Sequence, residues 1–289
     1  MAKILINISN YGIQQIDFLQ EVVANFQSWS IEKKIVIDTS IDLSNHLKLA
    51  HNFLEQRIFD PKIGHKLPFS HRGLFANEQK NFDYFLYTEN DLLISENAIK
   101  CFENAKSILE EDEILGFIRF ENYEHSKYLT DFDFKTPISK FPAWKQKNII
   151  FFSPEIQHSG CYLIDKKQLA KAIKSGGYLV KPHTKPYGML EQGASDIYTQ
   201  CGFKPKFIPI PYSDVLVHHL PNKYVQMKNG LARHLVSLLD EFITFIATNK
   251  PQIDVNTPPP ILDKFLVSLR YQLNSFERRI RHKLKKTLQ

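Results

Sequence analysis

The stretch Asn81-Phe-Asp-Tyr-Phe-Leu-Tyr-Thr-Glu-Asn-Asp-Leu-Leu-Ile-Ser95 places two acids and an amide between two apolar runs. Residues 84–87 are β-prone and predict a buried strand. Glu89, Asn90 and Asp91 end this strand, and a second apolar run follows at once. Carboxylates between apolar runs are costly to bury unless a partner neutralises them. The stretch therefore predicts either a site for Mg²⁺ or Mn²⁺, which prefer oxygen ligands, or a turn whose acids face water.

Strand-like and helix-like segments alternate along the chain before and after this stretch. Residues 2–9 and 33–40 are typical of strands, and residues 14–29 carry apolar side chains at helical spacing. The second of these strands ends with Asp38, at the edge where parallel sheets bind ligands. Asp38 is therefore either a contact for a base or ribose, or an ordinary loop or cap aspartate.

Further strands and helices are predicted downstream. Residues 148–153 and 160–165 are predicted to be two more strands that pair with each other. The remaining predicted strands cover 114–122 and 206–212, and the remaining predicted helices cover 96–109, 166–174, 187–198 and 229–248.

Length and charge limit the classes of protein that this sequence can encode. The 289 residues suffice for one large α/β domain or two small ones. Residues 270–289 carry seven basic groups and one acid, which equals the whole net charge of +6. The body of the chain is therefore neutral, and a globular face that binds nucleic acid is not expected.

The C-terminal region differs in composition from the rest of the chain. We expect a domain over 1–249, a proline-rich linker over 250–260 and a basic amphipathic helix over 261–289. Such a helix can lie on an anionic membrane surface, pack on the catalytic domain or pack on a second subunit. The widely spaced cysteines and the strand-like N-terminus favour a cytoplasmic location, with peripheral membrane contact through 261–289 as one option.

Several short motifs follow one another in a definite order. They are Pro68-Phe-Ser-His-Arg72, Tyr87-Thr-Glu-Asn-Asp91, Gly116-Phe-Ile-Arg-Phe-Glu121, Ser159-Gly-Cys-Tyr-Leu-Ile164, Ala194-Ser-Asp-Ile-Tyr198 and Val217-His-His-Leu-Pro-Asn-Lys-Tyr224. Over roughly residues 2–224, this ordered set resembles nucleotide-sugar-dependent glycosyltransferases of the GT-A fold. The resemblance implies an α/β fold with a Rossmann-like mixed sheet flanked by helices, here followed by a C-terminal helical extension.

The resemblance also implies a metal site. In that family an acidic D-x-D motif ends a central strand and binds Mn²⁺ or Mg²⁺, which bridges the two phosphates of the donor. Asp91 matches the metal-binding aspartate, and Glu89 matches the first acidic position. Asn90 departs from the usual aspartate. His218 and His219 both match a late histidine ligand, and only one is expected to bind because neighbouring strand residues face opposite ways.

Two further sets of residues are assigned by the same resemblance. Asp38, His71, Arg72 and Lys223 are expected to contact the nucleotide-sugar together with Glu89 and Asn90. Arg72 and Lys223 would offset the diphosphate charge, and Asp38 would accept a hydrogen bond from the base or ribose. If transfer inverts the sugar centre, a carboxylate has to accept the proton of the acceptor hydroxyl. Either Asp196 or Glu191 is the expected catalytic base, and Asp196 is the favoured one because Ala194 and Ser195 beside it are small and leave room for a ligand.

The function implied is transfer of a sugar from a nucleotide-sugar, in the first instance a UDP-sugar, to a hydroxyl of a glycan or lipid-linked acceptor. A different class of function is a non-catalytic GT-A-like module that binds a glycan or a membrane partner, which the Asn90 departure would suit. A nucleotidyltransferase is a third reading, although no glycine-rich phosphate loop is found near the N-terminus. Homo-oligomerisation is left open.

Overall fold

The computed structural model describes residues 2–47, 52–130, 143–146, 149–152, 158–204, 208–209, 213–226 and 233–234. The strands in these ranges are β1 (Lys3–Asn10), β2 (Glu32–Thr39), β3 (Leu54–Ile58), β4 (Tyr84–Glu89), β5 (Leu92–Leu93), β6 (Ile118–Tyr123), β7 (Ser126–Leu129), β8 (Ala143–Gln146), β9 (Ile149–Phe152), β10 (Cys161–Asp165), β11 (Ile208–Pro209), β12 (Leu216–His219) and β13 (Arg233–His234). The helices are α1 (Ile16–Ser28), α2 (His71–Glu78), α3 (Asn97–Lys106), α4 (Lys166–Lys174), α5 (Met189–Thr199) and α6 (Lys223–Gln226), with short 3₁₀ segments at Pro61–Phe69 and Ser213–Val215.

The main sheet has the order β10–β4–β1–β2–β3. Strands β1 to β4 run parallel, and β10 is antiparallel to β4. Alternate side chains of β1 enter two separate cores. Ile4 and Ile6 pack in the cluster that holds residues of α1 and α3, whereas Leu5 packs in the cluster that holds residues of α2, α4 and α5. The expected mixed α/β sheet flanked by helices is confirmed.

A second sheet brings a distant strand beside the acidic triplet. Its order is β13–β7–β6–β12–β5, and β5 begins directly after Asp91. Strand β12 is antiparallel to β5, with His219 opposite Leu92, and parallel to β6. The backbone N–H of Leu220 donates to the carbonyl of Asp91 over 3.0 Å. The chain after β12 is therefore fastened directly to the end of the triplet.

The predicted pairing of 148–153 with 160–165 is wrong. Both strands exist, as β9 and β10, but β9 belongs to a separate sheet of order β11–β9–β8. Strand β10 pairs with β4 instead, with Tyr162 opposite Tyr87. Strands that follow one another in a sequence do not always pair. Here β10 forms the edge of the main sheet, where its apolar residues are buried on both faces.

The C-terminal predictions fall largely outside the described residues. Arg233–His234 is a strand, β13, so the helix predicted over 229–248 does not include these two residues. Sheet pairing with β7 overrides the helical spacing of the apolar residues at this point. The remainder of that helix, the linker 250–260 and the basic helix 261–289 lie outside the described residues. Among the residues described, no helix has the length and apolar character needed to cross a membrane.

Candidate active site

The acidic triplet lies at the carboxyl end of the central parallel strand β4, next to the end of β1. Glu89 is half-buried, and its backbone N–H donates to the carbonyl of Gly160 over 3.1 Å. Gly160 has φ +69°, and a Cβ added there would lie 2.8 Å from Oε2 of Glu89. A residue with a side chain would be strained at this φ and would also displace the carboxylate. Glycine at position 160 therefore leaves room for Glu89.

Asp91 is the most isolated of the site carboxylates. Its side chain is buried, and Oδ1 has no hydrogen-bond partner among the described residues. Oδ2 accepts a long hydrogen bond from Nε2 of Gln15 at 3.4 Å and lies 3.5 Å from Nε2 of His219. A buried oxygen without a partner is costly for stability and needs an explanation. A cation bound in the functional state would provide one.

His219 lies between two carboxylates. Its Nδ1 is 2.6 Å from Oε1 of Glu121, on the side of the ring opposite the contact with Asp91. Burial alone would lower the pKa of His219, but hydrogen bonds to Asp91 and Glu121 together raise it above its ordinary value. The two carboxylates therefore favour a protonated His219 ring.

Like charges crowd the end of β4. Desolvation, and then the neighbouring charge of Asp91, raise the pKa of Glu89 to about 8. The charge of Glu191 acts in the same direction, while Arg119 and His219 oppose it. Glu191 thus lies within electrostatic range of Glu89. Perturbed carboxylates that cluster at the carboxyl edge of a parallel sheet are typical of functional sites.

The donor set was compared with the needs of a divalent metal ion. Over the described ranges, no group of three or more His, Cys, Asp or Glu side chains is arranged to hold a metal. Asp91 and His219 nevertheless lie together, and Oδ1 of Asp91 is buried without a partner. A carboxylate and an imidazole suit Mn²⁺, and Mg²⁺ sites commonly use one or two carboxylates plus waters and substrate phosphates. The residues therefore fit an ion shared with a phosphate ligand.

His218 faces away from this cluster. Its ring stacks on Phe120 with centroids 5.0 Å apart, and its Nε2 lies 3.0 Å from Nδ2 of Asn122. It lines a separate groove of about 480 Å³, on the opposite face of β12 from Asp91. The structure thus separates the two histidines as strand alternation predicts and leaves His219 as the candidate ligand. Lys223 is exposed at the start of α6, with Nζ 5.1 Å from the ring centre of Tyr224.

The side chain of Asn90 joins the ends of three strands. Its Nδ2 donates to Oδ1 of Asn10 over 2.7 Å, and Nδ2 of Asn10 lies 3.3 Å from Oγ1 of Thr39. The network connects the carboxyl ends of β4, β1 and β2. An ionised aspartate at position 90 could not donate the first of these hydrogen bonds. The departure from an acidic residue therefore has a structural reason in this chain.

Asp38 and His71 make buried contacts with other protein groups. Nε and Nη2 of Arg57 bind the two carboxylate oxygens of Asp38, each at 2.6 Å, and the hydroxyl of Ser70 also donates to it. The ring of His71 lies 2.6 Å from the hydroxyl of Tyr162 and is fully buried. Burial, and then the charge of Arg72, hold the pKa of His71 well below its ordinary value.

Arg72 and Asp196 form a buried ion pair. Nη2 of Arg72 lies 3.0 Å from Oδ2 of Asp196 and also donates to the carbonyl of Gln192. Asp196 accepts further hydrogen bonds from Gln192 and Thr199 and lies 3.0 Å from Nε2 of His183. Its oxygens are therefore occupied by protein groups. Glu191 begins the same helix and remains half-buried, within electrostatic range of Glu89.

Three residues of the cluster were not predicted as site residues from the sequence. They are Gln15, Arg119 and Glu121, of which the last two lie on the same side of β6. The signal was present, because a buried arginine and glutamate in an apolar strand require polar partners. What the sequence did not supply was the identity of those partners, which come from β12 and α6.

Comparisons with known proteins add no family assignment. A scan against models of protein families gave no match to the chain. A search of curated protein sequences gave no significant match either.

Proposed function

We propose that the protein is a metal-assisted glycosyltransferase. It transfers a sugar from a nucleotide-sugar donor, in the first instance a UDP-sugar, to a hydroxyl of a glycan or lipid-linked acceptor. The observation that carries the proposal is the placement of Asp91 against His219 at the carboxyl end of the central parallel strand, with one buried oxygen of Asp91 that has no hydrogen-bond partner among the described residues. Ligands of parallel α/β sheets bind at this edge.

Asp91 and His219 would hold Mn²⁺ or Mg²⁺. When bound, such an ion neutralises the negative charge that develops on the departing nucleoside diphosphate. Gln15 contacts the same oxygen of Asp91 that faces His219, so it orients the carboxylate. Glu89 faces the ribose or the ion from the end of β4, in the space that Gly160 leaves.

Glu191 is the base that the contacts favour for an inverting reaction. Asp196 is held by Arg72 and by three further polar side chains, so accepting a proton there would disrupt a buried ion pair. Glu191 lies in the first turn of α5, near the acidic cluster. A carboxylate in such a position can take the proton of an acceptor hydroxyl.

The remaining predicted nucleotide contacts divide into two groups. Asp38, His71 and Arg72 are buried in contacts with protein groups, so their contribution is to hold the strands and helices that carry the site. Lys223 is exposed and is a cation that can approach a diphosphate. The contact of 261–289 with a membrane stays a prediction.

Titration calorimetry with UDP, in the presence and absence of Mn²⁺, tests the proposal. We expect UDP to bind the full chain with Mn²⁺ and to bind at least 10-fold more weakly without it. Asp91→Ala should remove the Mn²⁺ dependence, whereas Asp83→Ala, at an exposed ion pair with Lys166, should retain it. Unchanged donor hydrolysis or sugar transfer by Asp91→Ala would contradict the metal role. In a separate experiment, a thermal-shift panel of nucleotide-sugars would identify the donor, because a ligand that binds the folded state raises its apparent stability.

A second candidate function has one observation in its favour. Since no group of three or more candidate metal ligands occurs in the described ranges, a GT-A-like module that binds a glycan or membrane partner without catalysis is the alternative. Such a module should show no metal-dependent binding of UDP in the same calorimetric experiment. It should also keep its glycan binding in the Asp91→Ala variant.

A further inference from the structure

Glu121 connects strand β6 to both β12 and α6. Its side chain is fully buried, and each of its oxygens has a hydrogen-bond partner. Oε1 lies 2.6 Å from Nδ1 of His219, and Oε2 accepts from the backbone N–H of Val225 over 2.7 Å. An ionised carboxylate is only an acceptor, so His219 has to donate through Nδ1.

The neighbours of His219 limit the ring to one orientation. With Nδ1 directed at Glu121, Nε2 lies on the other side of the ring, 3.5 Å from Oδ2 of Asp91. The ring of Tyr224 stacks on His219 with centroids 5.3 Å apart and an interplanar angle of 24°. Tyr224 and Val225 are consecutive residues of α6. One short helix therefore supports the histidine twice, by stacking and through Glu121.

We infer that Glu121 is a positioning residue, which holds His219 with Nδ1 protonated so that Nε2 faces Asp91 as a ligand for a divalent cation. The role of the cation depends on the proposed glycosyltransferase function, whereas the orientation of the ring does not. Histidines that bind metals generally donate their other ring N–H to a carboxylate or a carbonyl. The arrangement of Glu121, His219 and Asp91 has this form.

Nuclear magnetic resonance of the full chain tests the orientation directly. In ¹⁵N-histidine-labelled protein, we expect a slowly exchanging Nδ1 proton for His219, assigned by its loss in His219→Asn. The proton should persist when Mg²⁺ and UDP are added. It should disappear in Glu121→Met, because the thioether is at most a weak acceptor. Glu113→Met is the matched control, since Glu113 is also a buried glutamate and lies outside the site.

Binding of Mn²⁺ in the presence of UDP, followed by electron paramagnetic resonance, is the second measurement. Loss of an outer partner of a metal ligand commonly lowers affinity by about 10- to 100-fold, and we expect that loss in Glu121→Met. Glu121→Asp keeps the carboxylate and should lose less affinity, so it provides a test even if Glu121→Met does not fold.

The possible outcomes separate the positioning role from the proposed function. Retention of the Nδ1 proton, or of wild-type Mn²⁺ affinity, in folded Glu121→Met would overturn the positioning role. If the proton behaves as expected but the wild-type chain binds no Mn²⁺, the orientation by Glu121 is supported and the glycosyltransferase proposal is contradicted.

Discussion

Nη2 of Arg72 lies 3.0 Å from Oδ2 of Asp196, and the two side chains are only 3% and 1% exposed. The pair fastens α2 to α5, the helix that also carries Glu191. We expect Asp196→Ala to lower the free energy of unfolding by about 3–5 kcal/mol, because it leaves a buried arginine without its partner. Urea unfolding measures this change. Asp83→Ala breaks the exposed pair with Lys166 and should cost at most about 1 kcal/mol.

Glu191→Gln should lower activity and leave stability almost unchanged, in contrast to Asp196→Ala. The side chain of Glu191 is only half-buried, in the first turn of α5. If Glu191 is the base, kcat falls by about 10²- to 10⁴-fold while the affinity for UDP is retained. The free energy of unfolding should stay within about 0.5 kcal/mol of wild type. Steady-state transfer kinetics and urea unfolding provide the two values. A larger fall in kcat for folded Asp196→Asn than for Glu191→Gln would make Asp196 the better candidate.

Asp91→Asn should stabilise the protein while removing its metal-dependent binding. In the part of the chain that the structure describes, one buried oxygen of Asp91 has no hydrogen-bond partner, and the charge of Asp91 raises the pKa of Glu89. Removing that charge should add about 0.5–2 kcal/mol to the free energy of unfolding, as relief of strain at functional sites commonly does. Asp38→Asn is the control. It is also a buried aspartate at the carboxyl end of a parallel strand, but Arg57 pairs with it, so this substitution should destabilise.

Two glycines allow the space beside Glu89 to be tested. Gly160 and Gly176 have φ of +69° and +77°, so alanine is strained at both, by about 1–2 kcal/mol. A Cβ at position 160 would lie 2.8 Å from Oε2 of Glu89, whereas a Cβ at position 176 would meet no atom of the described residues within 4 Å. Gly160→Ala should therefore weaken binding of UDP with Mn²⁺, and Gly176→Ala should not. Equal binding by both variants would show that Glu89 has no contact with the ligand.

The buried ring of His71 should make stability depend on pH. Its pKa in the folded protein is well below the ordinary value of 6.5, because burial and the charge of Arg72 oppose protonation. As the pH falls below about 6.5, the unfolded chain binds a proton that the folded chain does not. The free energy of unfolding should consequently decrease from pH 6.5 downward. Urea titrations at several pH values should show a smaller decrease in this range for His71→Gln.

The course of the chain was largely predictable from local patterns. The strands near residues 2–9 and 33–40, the helix over 14–29 and the strand before Glu89 were all confirmed, because apolar periodicity and β-branched residues report burial within one element. The predicted pairing of β9 with β10 was wrong, because these two strands belong to different sheets. Periodicity shows that a strand is buried, but it does not show which strand lies beside it.

The functional assignments could rest on neighbouring residues in the sequence, but they could not draw on knowledge of distant partners. Position in the sequence indicated Asp91 and the His218–His219 pair, and alternation along a strand indicated that only one histidine would face the acid. Asp38, Arg72 and Asp196 had the residue types of a ligand site, yet the structure places them in buried ion pairs with protein groups. A charge that binds a ligand and a charge that binds another side chain look alike in a sequence.

The sequence by itself determined the alternation of strands and helices, the acidic triplet at the end of β4 and the opposite directions of His218 and His219. Each of these follows from the spacing of residues within one element. Only the tertiary structure decided that His219 lies between Asp91, 128 positions away in the sequence, and Glu121, 98 positions away. It also decided that Asn90 joins three strand ends and that Asp196 pairs with Arg72. These contacts join distant segments, and they form because a folded core leaves each buried polar group only the partners within hydrogen-bond reach.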